Sequence, residues 1–178
     1  MALELEDGTG KPNAQSYVDA AEARAYAAAR GVTLPPGDPE VEAMLLRAAD
    51  YLEAQRALYQ GHKTFPAVPQ ALQFPRTDVV IDCTYELPAS GAGSIPAILK
   101  SAQMQLVIEQ QNGIPLFPST DGRIKKKTKV DVIETEYFSA TELGLSGYPV
   151  SQMPAVEALL APLFNACGSG QFLTTVRV

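Results

Sequence analysis

The chain has 178 residues and a mass of 19.0 kDa, which is the size of one domain with or without appendages. Hydrophobic residues make up 46% and charged residues 19%, a balance typical of a globular protein that buries a core without disulfide or metal support. Fourteen Lys and Arg against twenty Asp and Glu give a net charge of -6. This balance argues against a dedicated nucleic-acid binder, although it does not exclude a local basic patch.

Cysteine usage and hydropathy indicate the compartment. Cys83 and Cys167 are 84 residues apart, which favours two free thiols in a reducing environment over a disulfide, and the sequence assigns neither a role. No apolar run approaches the about 18 residues that cross a bilayer. The acidic N-terminal segment also lacks the apolar region of a signal peptide. The sequence therefore predicts an acidic, soluble, intracellular protein with no membrane partner.

Four segments have the hydrophobic spacing of amphipathic helices, at about 16–30, 38–59, 95–112 and 154–164. Candidate N-caps are Ser16, Asp38 and Ser94 for the first three helices. These patterns predict a mainly α fold, a small bundle of about four helices within a single domain of residues 15–164. An extended N-terminal arm of residues 1–14 and a C-terminal tail of residues 165–178 flank that domain.

Three segments predict other structures. Residues 61–93 contain repeated prolines, which predict an irregular stretch of the kind that forms interfaces or functional sites. Residues 123–138 are dominated by Lys, Thr, Val, Ile and Tyr, and they predict one long strand or bent β-ribbon inserted in the helical domain. Residues 172–178 predict a last strand, which either folds onto its own sheet or adds to a sheet of a neighbouring protein.

No combination of residues indicates catalysis, a metal ion or a cofactor. His62 is the only histidine, in a Gly-His-Lys turn typical of a protein surface. One histidine and two distant cysteines do not predict a zinc site. Gly91–Ser94 favours a flexible loop over an anion cradle, because it lacks a P-loop lysine. Glu134 and Glu136 could serve as paired carboxylates, but this spacing is common on exposed strands. The sequence therefore predicts a protein that is not an enzyme.

Charge is unevenly distributed along the predicted ribbon. Its first half holds five of the fourteen basic residues within seven positions, namely Arg123, Lys125, Lys126, Lys127 and Lys129. Acidic residues follow at Asp131, Glu134 and Glu136. Lysines of this kind can guard a strand edge against aggregation, or contact a nucleic acid, although no aromatic residues are interleaved here. A third interpretation is a dipole, in which the basic half of one subunit meets the acidic half of the next in a ring.

Several motifs occur in an order that resembles one protein family. They are Ser16–Ala23 with Tyr26, Leu46–Leu52, Tyr59–Gly61, Gln70–Arg76, Ile95–Ala102 and Lys127–Tyr137. The chain resembles the head-tail connector, or adaptor, family of tailed phages, some of whose sequences carry the name DnaT-like single-stranded DNA-binding protein. The resemblance covers about residues 14–165. Its most specific piece is the Gln70–Arg76 motif, in which Phe74 stands where tryptophan is common.

The resemblance implies a structural protein of the virion neck, made in the host bacterial cytoplasm. Such connectors form a ring, typically of twelve copies, that joins the portal at the capsid vertex to the next neck or tail-completion protein and lets genomic DNA pass without specific binding. The candidate subunit-contact residues are Arg123, Lys125, Lys127, Lys129, Glu134 and Glu136. The candidate residues for the portal or neck partner are Phe172, Leu173, Val176, Arg177 and Val178. The alternative is a single-stranded DNA-binding replication accessory protein that uses the lysine cluster.

Overall fold

The structure is a computed structural model that describes residues 3–65, 69–117, 124–129, 134–138 and 153–164. The chain divides into two compact units. One, the helical unit, comprises residues 1–114 and 153–178. The other, the ribbon unit, comprises residues 115–152. The expected single domain of residues 15–164 therefore contains parts of two units.

The described residues of the helical unit form four helices: α1 (Ala20–Ala28), α2 (Asp38–Ala54), α3 (Ala97–Gln111) and α4 (Pro154–Phe164). This confirms the mainly α prediction. Helix α3 contacts each of the other three, because its apolar residues cover more than one face. Within the described residues, no helix is long and apolar enough to cross a membrane. The most deeply buried helical side chains include Val41, Leu45, Leu52, Leu99, Leu106, Val156, Leu160 and Leu163.

Helix α1 begins later than the sequence predicts. Its N-cap is Asp19, whose carboxylate accepts a hydrogen bond from the Glu22 N–H at 2.7 Å. The Glu22 carboxylate accepts in return from the Asp19 N–H at 3.2 Å, which completes a capping box. The predicted cap at Ser16 is wrong, because the Ser16 hydroxyl is buried and donates to the Val18 carbonyl at 2.7 Å.

Helix α2 also differs at both ends. Gly37 takes the N-cap position, so the predicted cap, Asp38, is the first helical residue instead. The helix ends at Ala54 rather than near residue 59. Beyond this point the chain turns back, and the Tyr59 hydroxyl donates to the Leu52 carbonyl at 3.2 Å. The turn brings the Tyr59 ring into the core, where it is buried.

The predicted cap of α3 is wrong as well. Pro96 occupies the N-cap position, where no side chain caps the helix. Ser94 is fully buried and donates its hydroxyl to the Gly91 carbonyl at 2.8 Å. The Ser94 N–H donates to the same carbonyl, while the Gly91 N–H donates to Gly8 at 2.8 Å. These N–H groups are already engaged within the protein, so they do not form an anion cradle.

The described residues of the proline-rich segment between α2 and α3 are largely irregular, as predicted, and include four strands of two residues each. Strand β1 (His62–Lys63) pairs antiparallel with β2 (Arg76–Thr77), and β3 (Val80–Ile81) pairs antiparallel with β4 (Tyr85–Glu86). Cys83 lies in the turn between β3 and β4 and is disulfide-bonded, so the prediction of a free thiol is wrong there. That prediction used separation along the chain, which does not determine separation in the fold. Cys167 lies outside the described residues.

The N-terminal segment from residue 3 onwards folds against the helical unit instead of extending from it. Leu5 forms a parallel β-bridge with Ser16. The Glu6 carboxylate, only 3% exposed, accepts hydrogen bonds from the N–H groups of Gly8, Gly10 and Lys11, each at 2.9 Å. This carboxylate therefore organises a tight loop, in which Gly8 lies so close to the Gly91 carbonyl that a side chain would collide with it.

The described residues of the ribbon unit include two strands, β5 (Ile124–Lys129) and β6 (Glu134–Phe138), which pair antiparallel. The sequence left open whether residues 123–138 form one strand or a bent ribbon, and the structure shows a two-stranded ribbon.

Candidate functional site

The register of the ribbon determines which charged residues are neighbours. Lys127 lies opposite Glu136. Lys129 lies opposite Glu134, and the register shifts between Lys125 and Lys127. Opposite charges at facing positions of an antiparallel pair stabilise the pair by about 0.2–1 kcal/mol. The structure therefore brings together four of the six residues predicted for the subunit contact, as facing pairs within one chain.

This arrangement refines the dipole interpretation. The basic and acidic residues are separated between two adjacent strands of the same ribbon, rather than between the two ends of one long strand. A fifth predicted contact residue, Lys125, lies opposite Tyr137. The sixth, Arg123, lies outside the described residues. So do the predicted partner-binding residues of the tail, namely Phe172, Leu173, Val176, Arg177 and Val178.

The most specific sequence motif, Gln70–Arg76, ends on a buried arginine. Arg76 is 6% exposed, and its guanidinium donates to the carbonyls of Gln60 at 2.7 Å and Gly61 at 2.6 Å. It also donates to the side-chain carbonyl of Gln73 at 2.9 Å. Burial lowers the pKa of Arg76, and the backbone carbonyls supply the acceptors that its charge needs. The arginine thus ties β2 to the turn after α2.

The other end of this motif is organised in the same way. The buried Gln70 amide donates to the carbonyls of Leu72 at 2.9 Å and Pro75 at 3.0 Å. Phe74 is fully buried and meets the Tyr59 ring edge-on, with 5.2 Å between the ring centroids. The motif therefore fixes the path of the chain and packs the core.

A second polar network lies beside the motif. The Tyr17 hydroxyl donates to a Glu53 carboxylate oxygen at 3.0 Å and accepts from the Phe74 N–H at 3.1 Å. The same Glu53 oxygen accepts from the Gln73 N–H at 2.9 Å. Burial raises the pKa of Tyr17 well above its ordinary value and also raises the pKa of Glu53, against the hydrogen bonds that lower it. The network joins α2 to the N-terminal segment and the motif.

The sequence analysis missed Gln103, the fully buried polar residue at the centre of α3. Its side-chain carbonyl accepts from the Tyr17 N–H at 3.0 Å. Its amide donates to the Ser16 hydroxyl at 2.8 Å and to the Leu45 carbonyl at 3.1 Å. The sequence does place a glutamine between apolar residues of a central helix, which could have indicated a buried polar residue. Its partners are distant along the chain, so the sequence does not identify them.

Several basic side chains of the helical unit are engaged inside that unit. Lys11 forms an ion pair with Asp7 at 2.9 Å and donates to the Leu5 carbonyl at 2.9 Å. Arg24 pairs with Asp38, and its guanidinium also donates to two backbone carbonyls at 3.1 Å. These contacts reduce the number of cations of the unit that are oriented towards solvent.

Two further basic residues are engaged in the same way. The Lys63 ammonium donates to the carbonyls of Gln70 and Ala71 at 3.1 and 3.3 Å. The Arg30 guanidinium lies 3.3 Å from the centroid of the Tyr26 ring and donates to the Tyr26 carbonyl. With Lys11, Arg24 and buried Arg76, these residues make five basic side chains of the helical unit that are engaged within it.

Other candidate chemistry is sparse. His62 is exposed on β1, as predicted. Among the described residues, no group of three His, Cys, Asp or Glu side chains could hold a metal ion. A cleft of about 270 Å³ is lined by Leu3, Asp19, Ala20, Ala21, Arg24, Asp38 and Glu42. The Arg24 in this cleft is already paired with Asp38, and Asp19 caps α1, so both have structural roles there.

The whole chain, residues 1–178, matches the model of a family described as "putative DnaT-like ssDNA binding protein". The chain belongs to this family. Among curated proteins and among solved structures, no match was found. The family description agrees with the DnaT-like name that the resemblance carries, and it does not mention a head-tail connector. It therefore favours the alternative function over the connector.

Proposed function

We propose that this protein is a non-enzymatic structural subunit of the virion neck of a tailed phage, which assembles into a ring. The ribbon unit carries the proposal. Its described residues comprise two strands, which belong to a compact unit of their own. A two-stranded ribbon alone is marginally stable in water, and a neighbouring subunit would supply the surface that it needs. In this proposal, subunit contacts are the ribbon's function.

The charge distribution supports the same proposal. The chain has a net charge of -6, and the helical unit engages many of its cations internally. DNA passing through a ring of such subunits would meet little attraction, because affinity for DNA comes mainly from cations that neutralise phosphates. We therefore propose that genomic DNA passes through without specific binding.

The finer architecture belongs to this proposal. The four helices form a small bundle, and the ribbon is an insertion between α3 and α4 that reaches a neighbouring copy. About twelve copies close the ring below the portal. The tail, residues 165–178, contacts the portal or the next neck protein through Phe172, Leu173, Val176, Arg177 and Val178.

The second candidate is single-stranded DNA binding, and the family description favours it. Strand β5 carries four lysines within six residues, and a basic strand can track a nucleic-acid backbone. Against this function, two of these lysines face glutamates in the register, which reduces the charge available to phosphates. The two candidates make opposite predictions about affinity for DNA.

One pair of measurements separates them. Native mass over a wide concentration range is expected to show a discrete species near twelve times 19.0 kDa. Titration of a fluorescent oligothymidylate is expected to show little binding at physiological salt. A persistent monomer whose DNA affinity falls steeply with salt would instead establish the second candidate. The matched control is the Lys125→Gln, Lys126→Gln variant, which should lose that affinity if the lysines contact DNA.

A further inference from the structure

The two strands of the ribbon carry charge of opposite sign. Strand β5 has four lysines and no acidic residue among its six residues. Strand β6 has two glutamates and no basic residue among its five residues. The separation is therefore complete within the described strands, and each long side of the ribbon has one sign of charge.

Each strand also has an outer edge. Within the part of the chain that the structure describes, β5 and β6 pair only with each other. The backbone N–H and C=O groups on the outer edge of each strand thus pair with no further strand among the described residues. Such edges are templates for pairing with another chain unless they are covered.

Charge decides which strands can pair across these edges. If two copies met through β5 and β5, lysines would lie beside lysines. If they met through β6 and β6, glutamates would lie beside glutamates. Like charges at facing positions are destabilising, whereas opposite charges stabilise the pair. Only the pairing of unlike strands joins a basic edge to an acidic edge.

We propose that the ribbons of neighbouring copies join edge to edge, with β5 of one copy beside β6 of the next. This inference rests on the proposed ring. Because rotation about a ring axis preserves the direction of a strand along that axis, the two strands meet antiparallel, as β5 and β6 do within one chain. The contact is head-to-tail, so it repeats around the ring until the ring closes. The partner that covers the ribbon edge is a second copy of this chain.

An exchange of charge between the strands tests this contact. The variant with Lys127→Glu, Lys129→Glu, Glu134→Lys and Glu136→Lys keeps the net charge and the facing pairs within each chain. It should form rings by itself. At a junction with the wild type, however, its strands would face edges of like charge. An equimolar mixture of wild type and variant is dissociated and reassembled, and the composition of the rings is measured by native mass spectrometry. Contacts between a wild-type copy and a variant copy should be about tenfold rarer than in random mixing.

The outcomes distinguish the contact from the ring. Free mixing of variant and wild-type copies in rings would overturn the edge contact and leave the ring intact; the lysines would then only guard a free edge. A wild-type chain that stays monomeric at every concentration would overturn both. The control variant, Arg47→Glu with Asp50→Lys on the exposed side of α2, also keeps the net charge and should mix freely with the wild type.

A second measurement needs no variant. Rings reassembled from ¹⁴N and ¹⁵N wild-type chains are treated with a carbodiimide, which joins a lysine ammonium to a nearby carboxylate without a spacer. The proposal predicts links that join light and heavy peptides, between Lys127 or Lys129 of one chain and Glu134 or Glu136 of another. If rings form and all such links join peptides of the same isotope, the contact is within one chain and the edge proposal is wrong.

Discussion

The helical unit and the ribbon unit use their charged and polar residues in opposite ways. In the helical unit, Arg76, Gln103 and Glu6 are buried, and each makes at least three hydrogen bonds within the chain. In the ribbon unit, two strands of opposite charge form a small sheet whose outer edges pair with no other described strand. The helical unit thus engages these buried groups within the chain, as a self-sufficient scaffold does, whereas the ribbon edges are where we propose the contact with a neighbouring copy.

The comparison also shows why a specific sequence motif need not mark a functional site. The Gln70–Arg76 motif is the most specific part of the family resemblance. Its buried side chains hold the irregular segment against the helices, and Arg76 binds carbonyls of the turn after α2. Such a motif reports a structural requirement, because a buried arginine has few acceptable replacements.

The largest expected effect is loss of the scaffold when Arg76 is replaced. Arg76→Met keeps much of the apolar volume but leaves the carbonyls of Gln60 and Gly61 without their donor. Losing charged hydrogen bonds to buried acceptors should lower the free energy of unfolding by about 3 kcal/mol. Urea denaturation followed by circular dichroism measures this change.

The matched control for that experiment is Arg47→Met on the exposed side of α2. A change at an exposed arginine should stay within about 0.5 kcal/mol. If both variants unfold at the same urea concentration as the wild type, Arg76 does not anchor the turn. The description of the helical unit as a self-sufficient scaffold would then lose its strongest contact.

A smaller loss is expected at the centre of α3. Gln103→Leu is similar in volume but removes the acceptor of the buried Tyr17 N–H, and also a second hydrogen bond to the Leu45 carbonyl, which keeps its bond within α2. A buried N–H without a partner should lower the free energy of unfolding by about 2 kcal/mol. Gln105→Leu, on the same helix but half-buried, is the control and should cost much less. Equal effects of the two changes would show that the buried network adds nothing to stability.

Periodicity was sufficient to predict the helices but not their caps. The apolar spacing of Val41, Leu45 and Leu52 is local, so it identifies α2 from the sequence alone. The N-cap at Ser16 failed because this residue is bound by Gln103, which is 87 positions away. Ser94 failed for a local reason, since its hydroxyl donates to the Gly91 carbonyl three residues earlier in the chain. A short polar side chain can thus cap a helix, close a loop or bind a distant residue, and spacing alone does not distinguish these roles.

The candidate site shows the same limit. The sequence indicated the opposite charges of the ribbon, because Lys127 and Glu136 belong to a strongly biased segment. It did not indicate that they face one another, since the position of the turn determines the register. The spacing of the cysteines also misled, because Cys83 is disulfide-bonded.

The smallest expected effect is a pH dependence inside the scaffold. Burial raises the pKa of Glu53 from its ordinary value of 4.5, and the titratable groups that act on it are Tyr17, through its hydrogen bond, and Lys63, through its charge, both of which lower that pKa. Between the ordinary and the raised pKa the folded protein binds more protons than the unfolded chain, so this carboxyl lowers stability as pH rises through that window. Glu53→Gln should abolish that decline while keeping the hydrogen bonds from the Tyr17 hydroxyl and the Gln73 N–H, because these two groups donate to one oxygen. As pH rises from 4, the urea midpoint of the variant should therefore rise above that of the wild type. Above the raised pKa of Glu53, the difference between the two midpoints should stay constant.

Glu86→Gln, an exposed change on β4, controls for the loss of one charge. If the divergence has the opposite sign, the hydrogen bonds outweigh burial at Glu53, and this carboxylate belongs with Glu6 as a charge that stabilises the scaffold.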